Sequence, residues 1–303
     1  MTTAPSLMLQ AAQAAAGMQQ YPAGALYIVA TPIGNLADMS LRAIHVLSLV
    51  DAVACEDTRH SAPLLRHLGL DKPLLAVHEH NEREAAGDVL ARLARGERVA
   101  YISDAGTPAV SDPGAALVAA AQAGGYRCIP LPGASSALAA LSVSGDTVGA
   151  GFVFAGFLPT RGAERAQALN GLAARNDTQV LFEAPHRIES LLLGLAEVCG
   201  ERSVTLCREL TKQFETVSTM PASELPAWLA ADPNRSRGEF VLVVHALKPA
   251  AADDGVTAHD ATLRTLLAEL PLKQAVALAA ELTGAARNAL YTRALTLKAA
   301  ADD

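Results

Sequence analysis

"ISDAGTPAVSDPG", residues 102–114, decides how this chain is read. It closes the apolar run "RVAYI" (98–102) with a cluster of aspartate, proline, glycine and hydroxyl residues. Such a cluster marks a turn. A glycine-bearing turn at the carboxyl end of a parallel strand is where open α/β sheets take their ligands. A plain strand-to-helix connection has the same composition, so the flanking segments must decide.

Outward from this stretch, strand-like and helix-like runs alternate. "ALYIVATP" (25–32), "AVACEDT" (52–58), "LLAVHE" (74–79) and "RCIPLP" (127–132) read as strands, and 40–50, 82–96 and "DPGAALVAAAQAGG" (112–125) read as helices. This alternation predicts parallel strands with crossover helices. Gly-rich residues 145–157 suggest a hinge, after which a second, mixed α/β pattern runs to 246. "LKPAAADDGVTAHD" (247–260) has linker composition, and three short apolar-striped helices are expected beyond it. The organisation is therefore a flexible tail over 1–23, with a short helix there as the alternative, α/β domains over 24–146 and 147–246, a linker over 247–260, and a helix-turn-helix-like domain over 261–303. In the last domain, Leu263, Leu266, Leu267 and Leu270 mark one apolar face, and Ala275, Leu278, Ala279 and Leu282 another.

The 303 residues suffice for two cores, and the net charge of −7 argues against bulk electrostatic coating of nucleic acid. The four cysteines are widely spaced without a CxxC pair, which fits reduced thiols in a cytoplasmic protein. No apolar run reaches membrane-spanning length, and the N-terminus lacks a basic signal region and has its apolar stretch interrupted by glutamines. "ATPIGNLADMS" (30–40) has one glycine, so a dinucleotide fingerprint fails, and neither a P-loop nor a GxSxG elbow occurs. The eight histidines form no HExxH, so no metal is expected. What remains is a set of small-residue turns at 31–38, 103–108, 132–136, 183–187 and 238–239, suited to a flat adenosine held by backbone groups.

"LYIVATPIGNLADMSLRA", "DAVACEDTRHSAPLLRHLGL", "ISDAGTPAVSDPG" and "LPGASSALAAL" together resemble the tetrapyrrole methylase family, in its RNA-acting branch. "GFLPT", "LFEAPHRI", "LCRELTKQFET" and "GEFVLVV" continue the match in order, across residues 25–246. The resemblance implies two α/β domains with S-adenosylmethionine in the cleft between them, a homodimer, and methylation of a cytidine ribose 2′-hydroxyl in small-subunit ribosomal RNA. It also implies a cofactor site of Pro32, Gly34, Asp104, Ala105, Gly106, Ser135, Ser136, Phe157, Leu158, Ala184, Pro185, Gly238 and Glu239. The chain departs from the family at Ser103, where many porphyrin-precursor enzymes carry glycine.

The charged segments at strand ends have two readings each. Asp57 or Thr58 caps a helix, or Arg59 beside it meets RNA phosphate. "HEHNERE" (78–84) is an exposed loop, or Asn81 bonds a base edge or ribose. Arg187, Arg208 and Lys212 contact RNA, or form surface salt bridges. Residues 262–300 carry five basic and two acidic side chains, which makes Arg287 and Arg293 nucleic-acid candidates and a packing bundle the alternative. Glu56, Asp57, Asp104, Glu183 and Glu209 are unranked candidates for a general base. Two rival functions stay open: a methyltransferase for a porphyrin or corrin precursor, and a non-enzymatic nucleic-acid-binding protein.

Overall fold

The computed structural model describes residues 4–78, 82–247 and 257–302. Asn81 and residues 248–256 of the expected linker lie outside the described residues.

The first sheet consists of β1 (Ala25–Val29), β2 (Ala52–Cys55), β3 (Leu74–Ala76), β4 (Val99–Ile102) and β5 (Arg127–Leu131). Their order is β3-β2-β4-β1-β5, and every pairing is parallel. All residues of β2 and β4 are buried, as strands covered on both faces must be. Period-two alternation divides them between two cores. Tyr27, Val53 and Ile102 pack with α1 (Ala4–Ala16), α2 (Leu41–Leu49) and α3 (Thr58–His67). Leu26, Ala54 and Tyr101 pack with α4 (Glu82–Ala94) and α5 (Ala115–Ala123) on the other face.

Helix α1 corrects the expected loose tail. Met8, Leu9 and Ala12 form one stripe on the first core and Ala16 is also buried, while Gln10 and Gln13 stay exposed. The glutamines therefore mark the outer face of an amphipathic helix rather than a break in an apolar run. The Tyr21 hydroxyl donates to Ala16 O at 3.0 Å and ties down its last turn.

Helix α6 (Ser136–Val143) joins the two sheets. The second sheet contains β6 (Phe152–Phe157), β7 (Thr178–Glu183), β8 (Ser203–Arg208), β9 (Thr216–Pro221) and β10 (Phe240–Val244), in the order β6-β7-β10-β8-β9. Strands β6 and β7 are parallel and the other pairs antiparallel. One face carries α7 (Gly162–Ala173), α8 (Ile188–Cys199) and α9 (Leu225–Ala230) on Leu181, Leu206 and Leu242. The other face packs Val180, Cys207, Val241 and Val243 against Ala137 and Ala140 of α6 and Ile33 of the first sheet's loop. This shared core makes residues 1–245 one compact unit.

The second unit holds α10 (Asp260–Glu269), α11 (Leu272–Thr283) and α12 (Arg287–Asp302). Its core is Leu263, Val276, Ala279, Leu290, Ala294 and Leu297. Gly284, at φ +70°, ends α11 in the left-handed conformation that a turn between helices requires. Thr257–His259 form a 3-10 turn leading into α10, so the C-terminal end of the expected linker belongs to this bundle. Leu278 and Leu282, read as core-facing, are exposed.

Candidate active-site cleft

Three turns at the carboxyl ends of β1, β4 and β5 are laced together by short-range hydrogen bonds. After β4 the chain folds back, and Gly106 exchanges backbone bonds with Thr31 (2.9 and 3.1 Å). Thr31 Oγ1 donates to Ser103 O at 3.1 Å, and Thr107 Oγ1 donates to Ala134 O at 3.0 Å. Ser103 is buried, and its hydroxyl donates to Gly106 O at 2.9 Å. The departure from glycine thus closes the turn across itself. Gly106 has φ +83°, and a Cβ there would lie 3.2 Å from Ile33 Cγ2. Backbone shape and crowding both demand glycine at this position.

These turns face the second sheet across a cleft of about 400 Å³. Ala105, Gly106, Ser135 and Ser136 line it from the first domain, and Phe157, Ala184, Pro185 and Glu239 from the second. Phe157 is 52% exposed and tilts edge-on to Phe182 with ring centroids 5.7 Å apart, giving the cleft an aromatic wall. Ser135 stands at the N-cap of α6 but makes no side-chain cap bond, which leaves its hydroxyl to the cleft. The loop after the turn is strained: Ala109 and Ser111 have φ of +64° and +66°. Non-glycine residues in that region cost about 1–3 kcal/mol each, and here they aim Ser111 and Asp112 at the cleft.

A second pocket of about 380 Å³ adjoins the first, and Ala105 and Glu239 line both. Pro32, Gly34 and Asp104 line this second pocket rather than the cleft, together with His60 and Lys212. Leu158 and Gly238 line neither pocket. Leu158 is buried in the second core, and Gly238 lies against Glu209, whose Cγ would be 2.5 Å from a Cβ there.

The charged candidates divide sharply. Glu183 is buried with its side chain at 0% exposure, where it pairs with Arg187 Nε at 2.9 Å and approaches Arg165 Nη1 at 3.8 Å. Arg187 also donates to Leu158 O. An enclosed arginine–carboxylate pair holds the 183–187 turn in shape, and Glu183 also lines the cleft. Arg208 is likewise structural, donating to Phe214 O at 3.1 Å and to the carbonyls of Asn234 and Arg237. Lys212 pairs with Glu209 and Glu239, at 2.9 Å each. Burial works to raise the Glu209 carboxyl, but the Glu239 N–H and Lys212 outweigh it and hold it low. Arg59, 86% exposed, clasps Asp57, and its hydrogen bonds pull that carboxyl down to about 2. Asp57 also caps α3 by accepting from Arg59 N at 2.8 Å. Asp57 and Glu209, whose carboxyls are held low by these partners, are therefore poor bases.

Two groups that the sequence left unassigned, Asp112 and His60, stand out. Burial, with Glu56 and Asp104 nearby, pushes Asp112 up to about 6. Burial also raises Glu56, reinforced by Asp104 and Asp57. His60 Nδ1 lies 2.9 Å from Asp104 Oδ2, and that bond raises the imidazole above its ordinary value. His60 follows Arg59 in "CEDTRHS", yet nothing in the sequence brings it to Asp104, 44 residues away.

In the helical unit, Arg293 forms a forked pair with Asp260 (2.8 and 2.5 Å), joining α12 to α10. Its guanidinium therefore packs the bundle, with 31% of the side chain left exposed. Arg287 is exposed at the start of α12.

A parallel sheet and a mixed sheet, with a small-residue cleft at the first sheet's carboxyl edge, define a class of two-domain α/β proteins that enclose a small ligand. Residues 25–226 match the family described as Tetrapyrrole (Corrin/Porphyrin) Methylases, and residues 253–298 match the RsmI C-terminal HTH domain. The chain belongs to the tetrapyrrole methylase family. It is 49% identical to ribosomal RNA small subunit methyltransferase I of Pseudomonas aeruginosa, over 90% of this chain and 97% of that one. The Escherichia coli O157:H7 protein of the same name is 47% identical, over 90% and 95%. Uroporphyrin-III-C-methyltransferase from Thermus thermophilus shares the fold, with a TM-score of 0.53 at 23% identity over 73% of this chain and 94% of that one.

Proposed function

We propose that this chain is a methyltransferase that uses S-adenosylmethionine to methylate small-subunit ribosomal RNA, at the 2′-hydroxyl of a cytidine ribose. The observation that carries the reading is the cleft between the sheets, adjoined by a second pocket across Ala105, in a chain nearly half identical to ribosomal RNA small subunit methyltransferase I proteins. The cleft residues fit the cofactor. Phe157, Ala184 and Pro185 offer an apolar wall to adenine, and the Gly106 turn permits close backbone approach. Asp112 and Glu239 put carboxylates near a ligand that carries positive charge at sulfur. When bound, the cofactor supplies an electrophilic methyl group. The chain's own task is to align acceptor and donor, and such positioning is worth about 7–11 kcal/mol. Arg59 and Arg287, both exposed, are the remaining candidates for phosphate contact.

We further propose a homodimer acting in the cytoplasm; sedimentation at micromolar concentration tests the dimer. The function itself is tested by supplying radiolabelled S-adenosylmethionine with 30S subunits, free rRNA, DNA or a porphyrin precursor. Label is expected in small-subunit rRNA, at a linkage resistant to alkaline hydrolysis. Label confined to the porphyrin precursor would favour the tetrapyrrole alternative.

A further inference from the structure

The pocket beside the cofactor cleft has a volume of about 380 Å³, within the roughly 300–1,000 Å³ of small-molecule sites. The turn that lines the cleft through Ala105 and Gly106 lines this pocket through Ser103, Asp104 and Ala105. An acceptor held in the second pocket therefore meets the cleft at Ala105. His60 also lines the pocket, at the second position after Thr58 opens α3 behind its capping Asp57. Its Nδ1 is 2.9 Å from Asp104 Oδ2, and Asp104 Oδ1 accepts from Asp57 N at 3.3 Å. The carboxylate is thus fixed from one side and orients the ring from the other. With Nδ1 donating to Asp104, the neutral ring carries its lone pair on Nε2, the pattern of a base held in one tautomer.

We propose that the second pocket receives the acceptor ribose and that His60, positioned by Asp104, is the general base for its 2′-hydroxyl. This rests on the methyl-transfer activity proposed above. The hydroxyl oxygen forms the new bond to the methyl carbon as the carbon–sulfur bond breaks, and its electron pair stays on sulfur, leaving a neutral thioether. The hydroxyl proton passes to His60 Nε2, and Asp104 stays bonded to Nδ1 of the resulting imidazolium.

Other charged groups surround the ring. Asp57 Oδ2 lies 3.9 Å from His60 Nδ1, and Arg59 adjoins it on the same helix. Glu56 interacts from the end of β2, while His67, Lys212 and Glu239 line the same pocket. Asp104 and Asp57 raise the imidazole and Arg59 opposes them. The base is therefore lost by protonation as the pH falls through a value above the ordinary 6.5.

The test compares wild type, His60→Ala and Asp104→Asn. Histidine NMR on the cofactor-free protein should show the His60 titration above 6.5 in the wild type and lowered in Asp104→Asn. Single-turnover methylation of 30S subunits should fall by about 10²–10⁴-fold in His60→Ala. Its acidic limb, about tenfold per pH unit in the wild type, should disappear. Calorimetric affinity for S-adenosylmethionine should stay within about threefold, since His60 lies outside the cofactor cleft. An active wild type with an equally active His60→Ala, or a His60 titration unmoved by Asp104→Asn, overturns the assignment alone. A wild type that binds cofactor but labels small-subunit rRNA neither in 30S subunits nor free overturns the methyl-transfer reading, and this assignment with it.

Discussion

Replacing Arg187 by alanine separates a structural arginine from an RNA-binding one. Its guanidinium meets Glu183 at 2.9 Å, with side-chain exposures of 18% and 0%. Removing one member of a buried pair costs about 3–5 kcal/mol, because the other charge is left in a medium that solvates it poorly. Loss of the donor to Leu158 O adds about 1 kcal/mol. Arg165, 3.8 Å from the other Glu183 oxygen, stays in place and offsets part of this. The net destabilisation should be about 2–4 kcal/mol. At a urea dependence of about 3 kcal/mol per molar, the midpoint should fall by about 1 M. Trp228, the chain's single tryptophan, packs on the second sheet's core, so its fluorescence reports unfolding where the pair sits. Affinity for S-adenosylmethionine should fall as well, because Ala184 and Pro185 stand between the partners and line the cleft. The double substitution Glu183→Met with Arg187→Met should recover much of the loss, since it leaves no unpaired charge. An unchanged urea midpoint and cofactor affinity, with rRNA binding abolished, would contradict this account and return Arg187 to the RNA surface.

Gly106→Val should weaken S-adenosylmethionine binding and also lower the urea midpoint, because valine at φ +83° is strained and its Cβ crowds Ile33; calorimetry and denaturation of the same preparation check both. Asp112 has a folded-state value of about 6, above its ordinary 3.8, so it disfavours folding as pH rises from about 4 to 6. Asp112→Asn should therefore be more stable than the wild type at pH 7.5 and less so by comparison near pH 4, as urea midpoints at the two pH values will show. In calorimetric titrations from pH 5 to 8, cofactor affinity should fall below pH 6 in the wild type and less in Asp112→Asn. A chain ending at Ala246 should fold and bind S-adenosylmethionine, since residues 1–245 are one compact unit. Its rRNA affinity should be weaker with a shallower salt dependence, by about 0.7 in log–log slope for each single-strand phosphate that the helical unit would otherwise neutralise; an unchanged slope would make that unit a packing element.

The elements of the first sheet and the position of its ligand turns are legible in the sequence alone. Both follow from local chemistry: apolar runs too short for helices, and turns whose glycines and prolines permit few backbone paths. Helix α1 is not legible in the same way, because Gln10 and Gln13 look like breaks until the stripe of Met8, Leu9 and Ala12 is seen against the first core. The charged residues are legible as charges but not as roles. Arg187, Arg208 and Arg293 share a residue type with Arg59 and Arg287, yet the first two close loops in the body and the third joins two helices of the bundle. What separates them is the burial and the distance of carboxylates and carbonyls that lie anywhere from four to thirty-three residues away. His60 and Asp104 show the same limit from the opposite side. Each follows a strand in its own segment, and only the parallel pairing of β2 with β4 brings the two turns to one edge of the sheet. Such roles belong to the tertiary structure because a side chain's work depends on the partners and dielectric around it, and those are set by long-range packing that local sequence does not encode.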